Sequence, residues 1–472
     1  MKEACGVVGI VAPGRAVSHL VFDALIALQH RGQESAGIAS WDHEAITVFK
    51  DNGLVASVFN EQSLHSLRGD IAIGHTRYST SGSANWTAAQ PVYRETGRVG
   101  FALSHNGNLT NTDALAAEAG ILPGMLVSDS DVVAQLMALR MQVGDTLPEA
   151  LGHVLKGVEG AYSLVILGDG IVHGIRDPHG FRPLCLGRIG TEDAPEGWML
   201  ASESPALDVV GASFVRELQP GELVTIADNM VTSTQLLDPA EGSEKLCIFE
   251  FVYFARPDAY LMGHQVHSAR RRMGEHLARQ GTVEADLVMG VPDSGIPAAE
   301  GFAAVSGIPF GYGLVKNRYI GRTFIAPDQI SRSKGVRRKL NPLRENIEGQ
   351  RLVVVDDSIV RGTTTQALVA MLRDAGAKEV HLRISSPPFS WPCYYGIDTP
   401  SRDQLIAANH ELDAIREFIQ ADSLAYLSLE GLRDATGAQV GSSTTDASFC
   451  EACLTGHYPA GIIEAADRRE AY

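Results

Sequence analysis

The chain has 472 residues, 45% of them hydrophobic and 20% charged, which suits two folded domains and argues against wholesale disorder. Its formal net charge of -17 argues against a general nucleic-acid or membrane-surface binder, because both need a basic face. No apolar run approaches the roughly 20 residues that span a bilayer, and the N-terminus lacks the apolar core of a secretory signal. We therefore expect a cytoplasmic protein whose six cysteines are catalytic, metal-binding or buried.

The first half of the sequence alternates short β-rich runs with turns and contains few helical stretches. Strands are predicted over 72–74, 99–104, 162–167 and 223–226, each bounded by glycine, proline, asparagine or aspartate. Helical spacing predicts helices over 20–28 and 132–139. Many strands with few helices indicate an α+β sheet sandwich.

Four segments of this half carry side chains that could form a catalytic site. Cys5 opens a predicted strand in CGVVGI, and Arg77, in GHTRYST, suits bidentate binding of a carboxylate. Asn106 and Gly107, in HNGNL, offer the amide and the backbone N–H that an oxyanion needs. Asp129, in SDSD, places a carboxylate before a predicted helix. Taken singly, each has a plain alternative: an inert cysteine, a surface ion pair, an Asn-Gly hairpin turn and a helix N-cap.

Together with LQHRGQESAG at 28–37, these segments resemble the class II glutamine amidotransferases. The resemblance implies an N-terminal nucleophile sandwich in which Cys5 attacks the glutamine amide and its own α-amino group, with a pKa of about 8, acts as the base. Arg77 and Asp129 would bind the α-carboxylate and α-ammonium of glutamine, while Asn106 and the Gly107 N–H stabilise the oxyanion. Residues 1–4 would block that amine, so we expect a cleaved propeptide over 1–4 and a glutaminase domain over 5–238.

A candidate linker, DPAEG at 238–242, separates the first half from a second half in which strand-like and helix-like segments alternate. Apolar strands are predicted over 287–289 and 352–355, each followed by a turn and a helical stretch, which indicates a parallel, doubly wound α/β sheet in a domain over 239–472. Asp356 and Asp357 follow the second strand at its C-terminal end, where such sheets bind ligands. RGTTT at 361–365 then leads into a helix predicted from about residue 366 and could present N–H groups to a phosphate. The alternative is an ordinary strand–turn–helix with an aspartate cap.

The segment LVVVDDSIVRGTTTQ at 352–366 resembles the signature of the type I phosphoribosyltransferases, which bind 5-phosphoribosyl pyrophosphate (PRPP). The resemblance implies PRPP contacts from Asp356, Asp357, Arg361, Gly362, Thr363, Thr364 and Lys316. Paired carboxylates suit ribose hydroxyls and a magnesium ion, and the family pattern adds Ser294, in VPDSG, to Asp356 and Asp357 as metal-holding residues. The basic run between Lys316 and Arg344, otherwise a solvated loop, matches the family's loop that closes over PRPP.

Four further cysteines remain: Cys247, Cys393, Cys450 and Cys453. Chemically they could form a four-thiolate zinc site, hold a [4Fe–4S] cluster or include a redox pair. Their contexts, LCIFEFVYFARPD, SSPPFSWPCYYGIDTP and SFCEACLTGHYPA, resemble the iron–sulfur branch of the amidophosphoribosyltransferases. That resemblance implies a [4Fe–4S] cluster with a structural or regulatory role. Cys185 has no partner in this scheme and is expected in the core.

The resemblance covers nearly the whole chain and implies glutamine-dependent amination of PRPP to 5-phosphoribosylamine, the first step of de novo purine synthesis. It also implies internal passage of ammonia between the sites, a homotetramer, and feedback inhibition by purine nucleotides. Two alternatives stay open. One is a different glutamine amidotransferase, such as an aminosugar or asparagine synthase, which would lack the PRPP segment. The other is a non-catalytic sensor of PRPP or purine nucleotides, which would not need the glutaminase residues together.

Overall fold

The computed structural model describes residues 5–78, 86–97, 100–122, 125, 127–240, 244–317, 338–397, 399, 401–437 and 449–461. The strands of the first half are β1 Gly6–Val11, β2 Ser35–Trp41, β3 Ile46–Asn52, β4 Ile71–Arg77, β5 Val92–Glu95, β6 Gly100–Leu109, β7 Gly160–Gly168, β8 Ile171–Arg176, β9 Cys185–Gly190, β10 Pro195–Ala201, β11 Ala212–Glu217, β12 Glu222–Ala227 and β13 Met230–Gln235. They form two antiparallel sheets, in the orders β11-β9-β10-β1-β4-β2-β3 and β13-β12-β8-β7-β6-β5.

The two sheets stack because their central strands are apolar on both faces. In β1, Val7 and Val11 join the apolar layer between the sheets, whereas Val8 and Ile10 join the layer on the opposite face. This split follows from the alternation of side chains along a strand. All four side chains are at most 1% exposed, so β1 and the residue that precedes it lie deep in the sandwich.

Helices cover the outer faces of this sandwich. They are α1 Ser18–Ala27, α2 Val55–Val58, α3 Glu61–Ser66, α4 Thr112–Glu118, α5 Asp129–Gln142, α6 Leu147–Leu155 and α7 Ser204–Val210, with a 3-10 turn at Trp86–Ala88. Helices α1 and α7 pack on the sheet that contains β1, and α4, α5 and α6 pack on the sheet that contains β6. The helix–sheet–sheet–helix order confirms the predicted α+β sandwich.

The second half contains a parallel sheet with helices on both faces. Its strands are β14 Leu246–Cys247, β15 Tyr260–Leu261, β16 His264–Gln265, β17 Leu287–Gly290, β18 Leu314–Lys316, β19 Leu340–Pro342, β20 Arg351–Asp356, β21 Glu379–Ile384, β22 Ser423–Tyr426 and β23 Phe449–Cys450. The central sheet has the order β17-β20-β21-β22, and every neighbouring pair in it is parallel. The predicted strands over 287–289 and 352–355 are thus neighbours, with their carboxyl ends at one edge.

The helices of this half are α8 Val266–Gln280, α9 Gly295–Ser306, α10 Arg344–Ile347, α11 Thr363–Asp374, α12 Ile406–Asn409, α13 Leu412–Ile419, α14 Leu429–Thr436 and α15 Ala452–Thr455, with a π-helical turn at Glu250–Phe254 and a 3-10 turn at Arg402–Gln404. Val353 and Val355 pack against α8 and α9, whereas Leu352 and Val354 pack against α11 and α13. The doubly wound prediction is therefore confirmed.

Two local predictions differ from the structure. Helix α11 begins at Thr363 rather than near residue 366, since Gly362 takes the left-handed conformation (φ 75°) that turns the chain into the helix. Asn106 and Gly107 lie inside β6, paired with Ser163 and Tyr162 of β7, so the hairpin-turn alternative is wrong. Most of the basic run, residues 318–337, lies outside the described residues, as do residues 1–4 and 241–243.

One apolar core joins the two halves. Ala161 and Phe181 of the first half belong to the same buried cluster as Phe249 and Phe251 of the second half. The Phe181 ring stacks on Tyr395, with 4.4 Å between ring centroids and 15° between their planes. Within the described ranges, no helix is long and apolar enough to cross a membrane.

Two candidate active sites and a cysteine cluster

The Cys5 side chain is buried, and Cys5 directly precedes β1, the first strand of the sandwich. Its Sγ lies 3.6 Å from the Tyr78 carbonyl oxygen. Burial raises the pKa of the Cys5 thiol, while the positive charge of Arg77 opposes that rise. A thiol in this setting is a weak nucleophile until a base removes its proton.

Arg77 and Asp129 converge on Cys5 from different elements. Arg77 is the last residue of β4, the neighbour of β1, and Asp129 is the first residue of α5. Both charges act on the Cys5 thiol, Arg77 lowering its pKa and Asp129 raising it. The N-cap of α5 is Ser128, whose side chain accepts from the Asp131 N–H. The cap alternative therefore describes Ser128 and not Asp129.

Asp129 is held as a carboxylate by its neighbours. Its side chain accepts hydrogen bonds from the backbone N–H groups of Leu109 (3.2 Å) and Ser130 (2.7 Å), and Nδ1 of His105 lies 3.7 Å away. Burial raises the pKa of Asp129, but the His105 ring and these N–H groups outweigh it and lower the pKa to about 2. Asp129 thus keeps a negative charge at neutral pH, as recognition of an ammonium group requires.

Asn106 brings an unpaired amide into the buried interior of the sandwich. Its side chain is 0% exposed, and among the described residues neither its Nδ2 nor its Oδ1 has a hydrogen-bond partner. Buried polar groups are normally paired, and an exception calls for a ligand or a water as the missing partner. The next residue must be small, because a Cβ on Gly107 would lie 2.0 Å from the Ala161 carbonyl oxygen.

The second site lies where β17 and β20 end side by side. Ser294 follows β17, and its hydroxyl donates to Oδ2 of Asp357 at 2.5 Å, so the two predicted loops are in direct contact. Oδ1 of Asp357 accepts from Ser358 at 2.5 Å. Lys316, at the end of β18, pairs with Asp293 of the same loop as Ser294 at 2.6 Å. The structure therefore brings Lys316, Ser294 and Asp357 to one edge of the sheet.

Asp356 and Asp357 place two carboxyl groups side by side at this edge. Burial raises the pKa of Asp356 well above its usual range, and the neighbouring charge of Asp357 raises it further. The Asp357 N–H donates to Asp356 at 2.9 Å, which fixes the pair. A cation or the hydroxyl donors of a sugar would relieve this repulsion.

The remaining predicted PRPP residues lie at the start of α11. Gly362 is its N-cap, and Thr363 and Thr364 form its first turn, where unpaired N–H groups can bind a phosphate. Arg361 donates to the Gln404 side chain at 2.8 Å. Arg361 and Gln404 also line a pocket of about 190 Å³ beside this turn, which the sequence did not predict.

The four late cysteines converge at the junction of the two halves. Cys247 and Cys450 are register partners in the parallel pair β14–β23. The Ser390 and Trp391 N–H groups donate to the Cys453 carbonyl oxygen at 3.1 and 3.0 Å, next to the loop of Cys393. Burial raises the pKa of the Cys453 thiol, and the other three cysteines raise it further. Across the described ranges, however, no three His, Cys, Asp or Glu side chains form a group that could hold a metal ion.

Several residues at these sites were missed or given no role in the sequence. Arg31 lies in the quoted segment at 28–37, and its Nε donates to the Cys5 carbonyl oxygen at 2.9 Å. Glu250, inside the context quoted for Cys247, accepts from Arg31. Glu250 offered one signal, an ionisable residue in the otherwise apolar run LCIFEFVYF, whereas Arg31 stands among other polar residues and offered none. As expected, Cys185 is buried and its Sγ contacts the Ala201 carbonyl oxygen at 3.3 Å.

Comparisons with known proteins agree with this arrangement. Residues 60–235 match the glutamine amidotransferase domain, and residues 258–385 match the phosphoribosyl transferase domain. The chain is 50% identical to the amidophosphoribosyltransferase of Mycobacterium tuberculosis, over 97% of this chain and 86% of that protein. It is also 50% identical to that of Synechocystis, over 99% and 93%. The solved glutamine PRPP amidotransferase from B. subtilis, complexed with ADP and GMP, superposes with a TM-score of 0.88 at 43% identity, covering 98% of both chains.

Fold and site together define a chain that joins a glutamine amidotransferase domain to a phosphoribosyltransferase domain. The chain belongs to the amidophosphoribosyltransferase family. It is an enzyme that aminates PRPP at the expense of glutamine in purine biosynthesis. This family membership sets aside both alternatives, a different glutamine amidotransferase and a non-catalytic sensor.

Proposed function

We propose that Cys5 is the nucleophile that releases ammonia from glutamine, and that Asp356 and Asp357 hold the PRPP that receives it. The first part is supported by the convergence of Arg77, at the end of β4, and Asp129, at the start of α5, on the buried Cys5 that precedes β1. Arg77 would bind the α-carboxylate of glutamine in a bidentate manner, and the ionised Asp129 its α-ammonium. Both ends of the substrate backbone would then be fixed.

In the proposed glutaminase reaction, the α-amine of a processed Cys5 takes the thiol proton, and the thiolate attacks the side-chain amide carbon. The carbonyl oxygen becomes an oxyanion, for which the unpaired Asn106 amide and the Gly107 N–H are the donors. The ammonium of Cys5 returns the proton to the leaving nitrogen, ammonia departs and a thioester forms. Water then cleaves the thioester to glutamate and restores the thiol.

At the second site, the ammonia nitrogen attacks the ribose C1 and the C1–O bond to pyrophosphate breaks. Asp356 and Asp357 would hold the ribose, and the first turn of α11, from Gly362 to Thr364, would hold its 5-phosphate. Arg361 and Lys316 would contribute positive charge. Since Asp356 and Asp357 crowd two carboxylates beside the Ser294 hydroxyl, this donor set fits a magnesium ion. When bound, magnesium would neutralise charge on the departing pyrophosphate.

We propose that ammonia passes from one site to the other inside the molecule. The apolar core that joins Ala161 and Phe181 to Phe249 and Tyr395 supports this proposal. In water ammonia is mostly protonated and cannot attack, whereas an apolar passage favours the neutral form. We place the division between the glutaminase domain, 5–238, and the phosphoribosyltransferase domain, 239–472, in the gap between residues 235 and 258, where neither matched family extends.

We propose that Cys247, Cys393, Cys450 and Cys453 hold a [4Fe–4S] cluster. All four are buried in one apolar core and form no disulfide. Neighbouring cysteines of this set raise the pKa of the Cys450 and Cys453 thiols, which indicates that the side chains lie close together. The donor set fits a thiolate-bound cluster. When bound, the cluster would cross-link the C-terminal segment to the junction of the halves.

Metal analysis of the anaerobically purified protein is expected to give about four irons per chain with broad visible absorbance. Cys453→Ser should lose that iron, because the sulfur is a proposed ligand. Cys185→Ser is the matched control, since Cys185 is equally buried but lies in β9. Stoichiometric zinc in place of iron would refute the cluster.

We further propose that residues 1–4 are a propeptide whose removal frees the Cys5 amine. Intact-mass spectrometry of the active enzyme should give a chain that begins at Cys5. Blocking cleavage with Cys5→Ala should leave Met1 in place if the cysteine takes part in its own processing. Fully active enzyme that still begins at Met1 would contradict the proposed base, because an amide nitrogen cannot accept the thiol proton.

The similar B. subtilis enzyme was solved with ADP and GMP, and we propose that purine nucleotides inhibit this chain as feedback. We also propose a homotetramer in the cytoplasm, with glutamine and PRPP as its small-molecule partners and no nucleic acid or membrane among them.

A further inference from the structure

Four charged side chains are buried together between the two halves of the molecule. Arg31, Arg182, Glu203 and Glu250 are each at most 1% exposed. Glu250 accepts from both terminal nitrogens of Arg31, at 2.9 and 2.8 Å, and from Arg182 at 3.4 Å. Glu203 accepts from Arg31 as well. Two positive and two negative groups thus balance, which burial of charge demands.

Arg31 connects this group to the proposed nucleophile. While its terminal nitrogens bind Glu250 and Glu203, its Nε donates to the Cys5 carbonyl oxygen at 2.9 Å. A guanidinium is planar and rigid, so a carboxylate that fixes two of its nitrogens also fixes the direction of the third. Glu250, together with Glu203, therefore fixes the direction in which Arg31 reaches the Cys5 carbonyl oxygen.

Glu250 is itself anchored by the second half of the chain. It opens the π-helical turn Glu250–Phe254, a geometry frequent at functional sites. Arg270 of α8 donates to the Phe251 and Ala255 carbonyl oxygens, each at 2.8 Å, which fixes this turn to the phosphoribosyltransferase half. Arg182 donates to the Tyr395 carbonyl oxygen at 2.6 Å, so the same group also contacts the loop of Cys393.

We propose that Glu250 and Arg31 are positioning residues for Cys5, so that the phosphoribosyltransferase half completes the glutaminase site. Neither residue touches glutamine. Glu250 orients Arg31, and Arg31 holds the carbonyl group of Cys5 directly before the first residue of β1. The inference rests on the proposed role of Cys5. It predicts that a change in the second half selectively impairs the chemistry of the first.

The test is Glu250→Gln in the full-length enzyme, because glutamine keeps the shape and removes the charge. Glutamine-dependent formation of phosphoribosylamine should fall about tenfold or more relative to the ammonia-dependent rate, since small misplacements of a reacting group are costly. Alkylation of Cys5 by iodoacetamide should slow in parallel. The control is Glu222→Gln in the glutaminase half, which breaks another bidentate pair, with Arg216 at 2.8 and 2.6 Å. It should leave the activity ratio unchanged.

A double-mutant comparison separates positioning from general loosening. Arg31→Lys keeps the positive charge but cannot make the bidentate pair with Glu250. It should therefore reproduce the selective loss of glutamine-dependent activity. Adding Glu250→Gln to it should then have little further effect on the ratio. Equal loss of both activities, unchanged Cys5 alkylation, or additive effects would overturn the inference. If Glu250→Gln does not fold, a normal activity ratio in Arg31→Lys overturns it. Loss of glutamine-dependent activity in Cys5→Ala, with no selective loss in these variants, would leave the proposed function standing and refute only the positioning role.

Discussion

Cys5→Ala should abolish glutamine-dependent formation of phosphoribosylamine, by on the order of 10⁴-fold or more, while ammonia still supports the reaction. Loss of a covalent nucleophile removes the route through the thioester, and what remains comes only from binding and the oxyanion donors. Added ammonia bypasses this step because Asp356 and Asp357 lie in the other half of the chain. The measurement is the rate of pyrophosphate release from PRPP with either nitrogen source.

The control for this experiment is Cys185→Ala. Cys185 is 4% exposed, against 8% for Cys5, and lies in the same sandwich. It should lose some stability, because a buried side chain is shortened, but it should keep both activities. If Cys5→Ala retained glutamine-dependent activity, Cys5 would not be the nucleophile. If added ammonia failed to rescue it, the division of labour between the halves would be wrong.

Asp357→Asn should produce the reverse pattern, with PRPP amination reduced by roughly 10²- to 10³-fold for both nitrogen sources. Asp357 accepts from Ser294 and Ser358 and shares one edge of the sheet with Asp356. Replacing its carboxyl group with an amide removes one of the two carboxyl groups that would hold magnesium and ribose. Glutamine hydrolysis should persist, measured as glutamate release, because the Cys5 site is untouched.

Asp286→Asn provides the comparison for Asp357→Asn. Asp286 also lies beside β17 and β20, but at their opposite ends, where it pairs with Arg351 at 2.9 Å. The Arg351 side chain and backbone lower the pKa of Asp286 to about 2, so its replacement removes a full charge as well. PRPP amination should remain close to that of the unaltered enzyme. A similar loss in both variants would mean that Asp357 acts only through stability.

The local sequence predicted the folds because the burial pattern of the central strands is strong. An unbroken apolar run at 352–355 becomes β20, covered on both faces. The start of α11 was placed too late because three threonines have a low helix propensity, whereas the left-handed conformation of Gly362 lets the chain turn directly into the helix at Thr363. For Asn106 and Gly107, long pairing with β7 outweighs the local turn preference.

The site was predictable in its motifs and not in its long-range contacts. Cys5, Arg77, Asn106 and Asp129 each stand in a short recognisable segment, so the residues could be named before their meeting was seen. Arg31 and Glu250 are 219 positions apart, and neither segment contains a pattern that predicts the ion pair between them. Only the folded chain brings Glu250 of one half and the Cys5 carbonyl oxygen of the other onto the same arginine.

Ammonia released at Cys5 should reach Asp356 and Asp357 without leaving the molecule, and this internal passage is what couples the two proposed sites. The direct test supplies glutamine labelled with ¹⁵N in its amide, together with PRPP and an excess of unlabelled ammonium. Mass spectrometry of the phosphoribosylamine, trapped as formed, then reports the source of its nitrogen. We predict that the product carries ¹⁵N. A product whose isotope ratio matches the bulk ammonium would contradict internal passage and, with it, the coupling of the two sites.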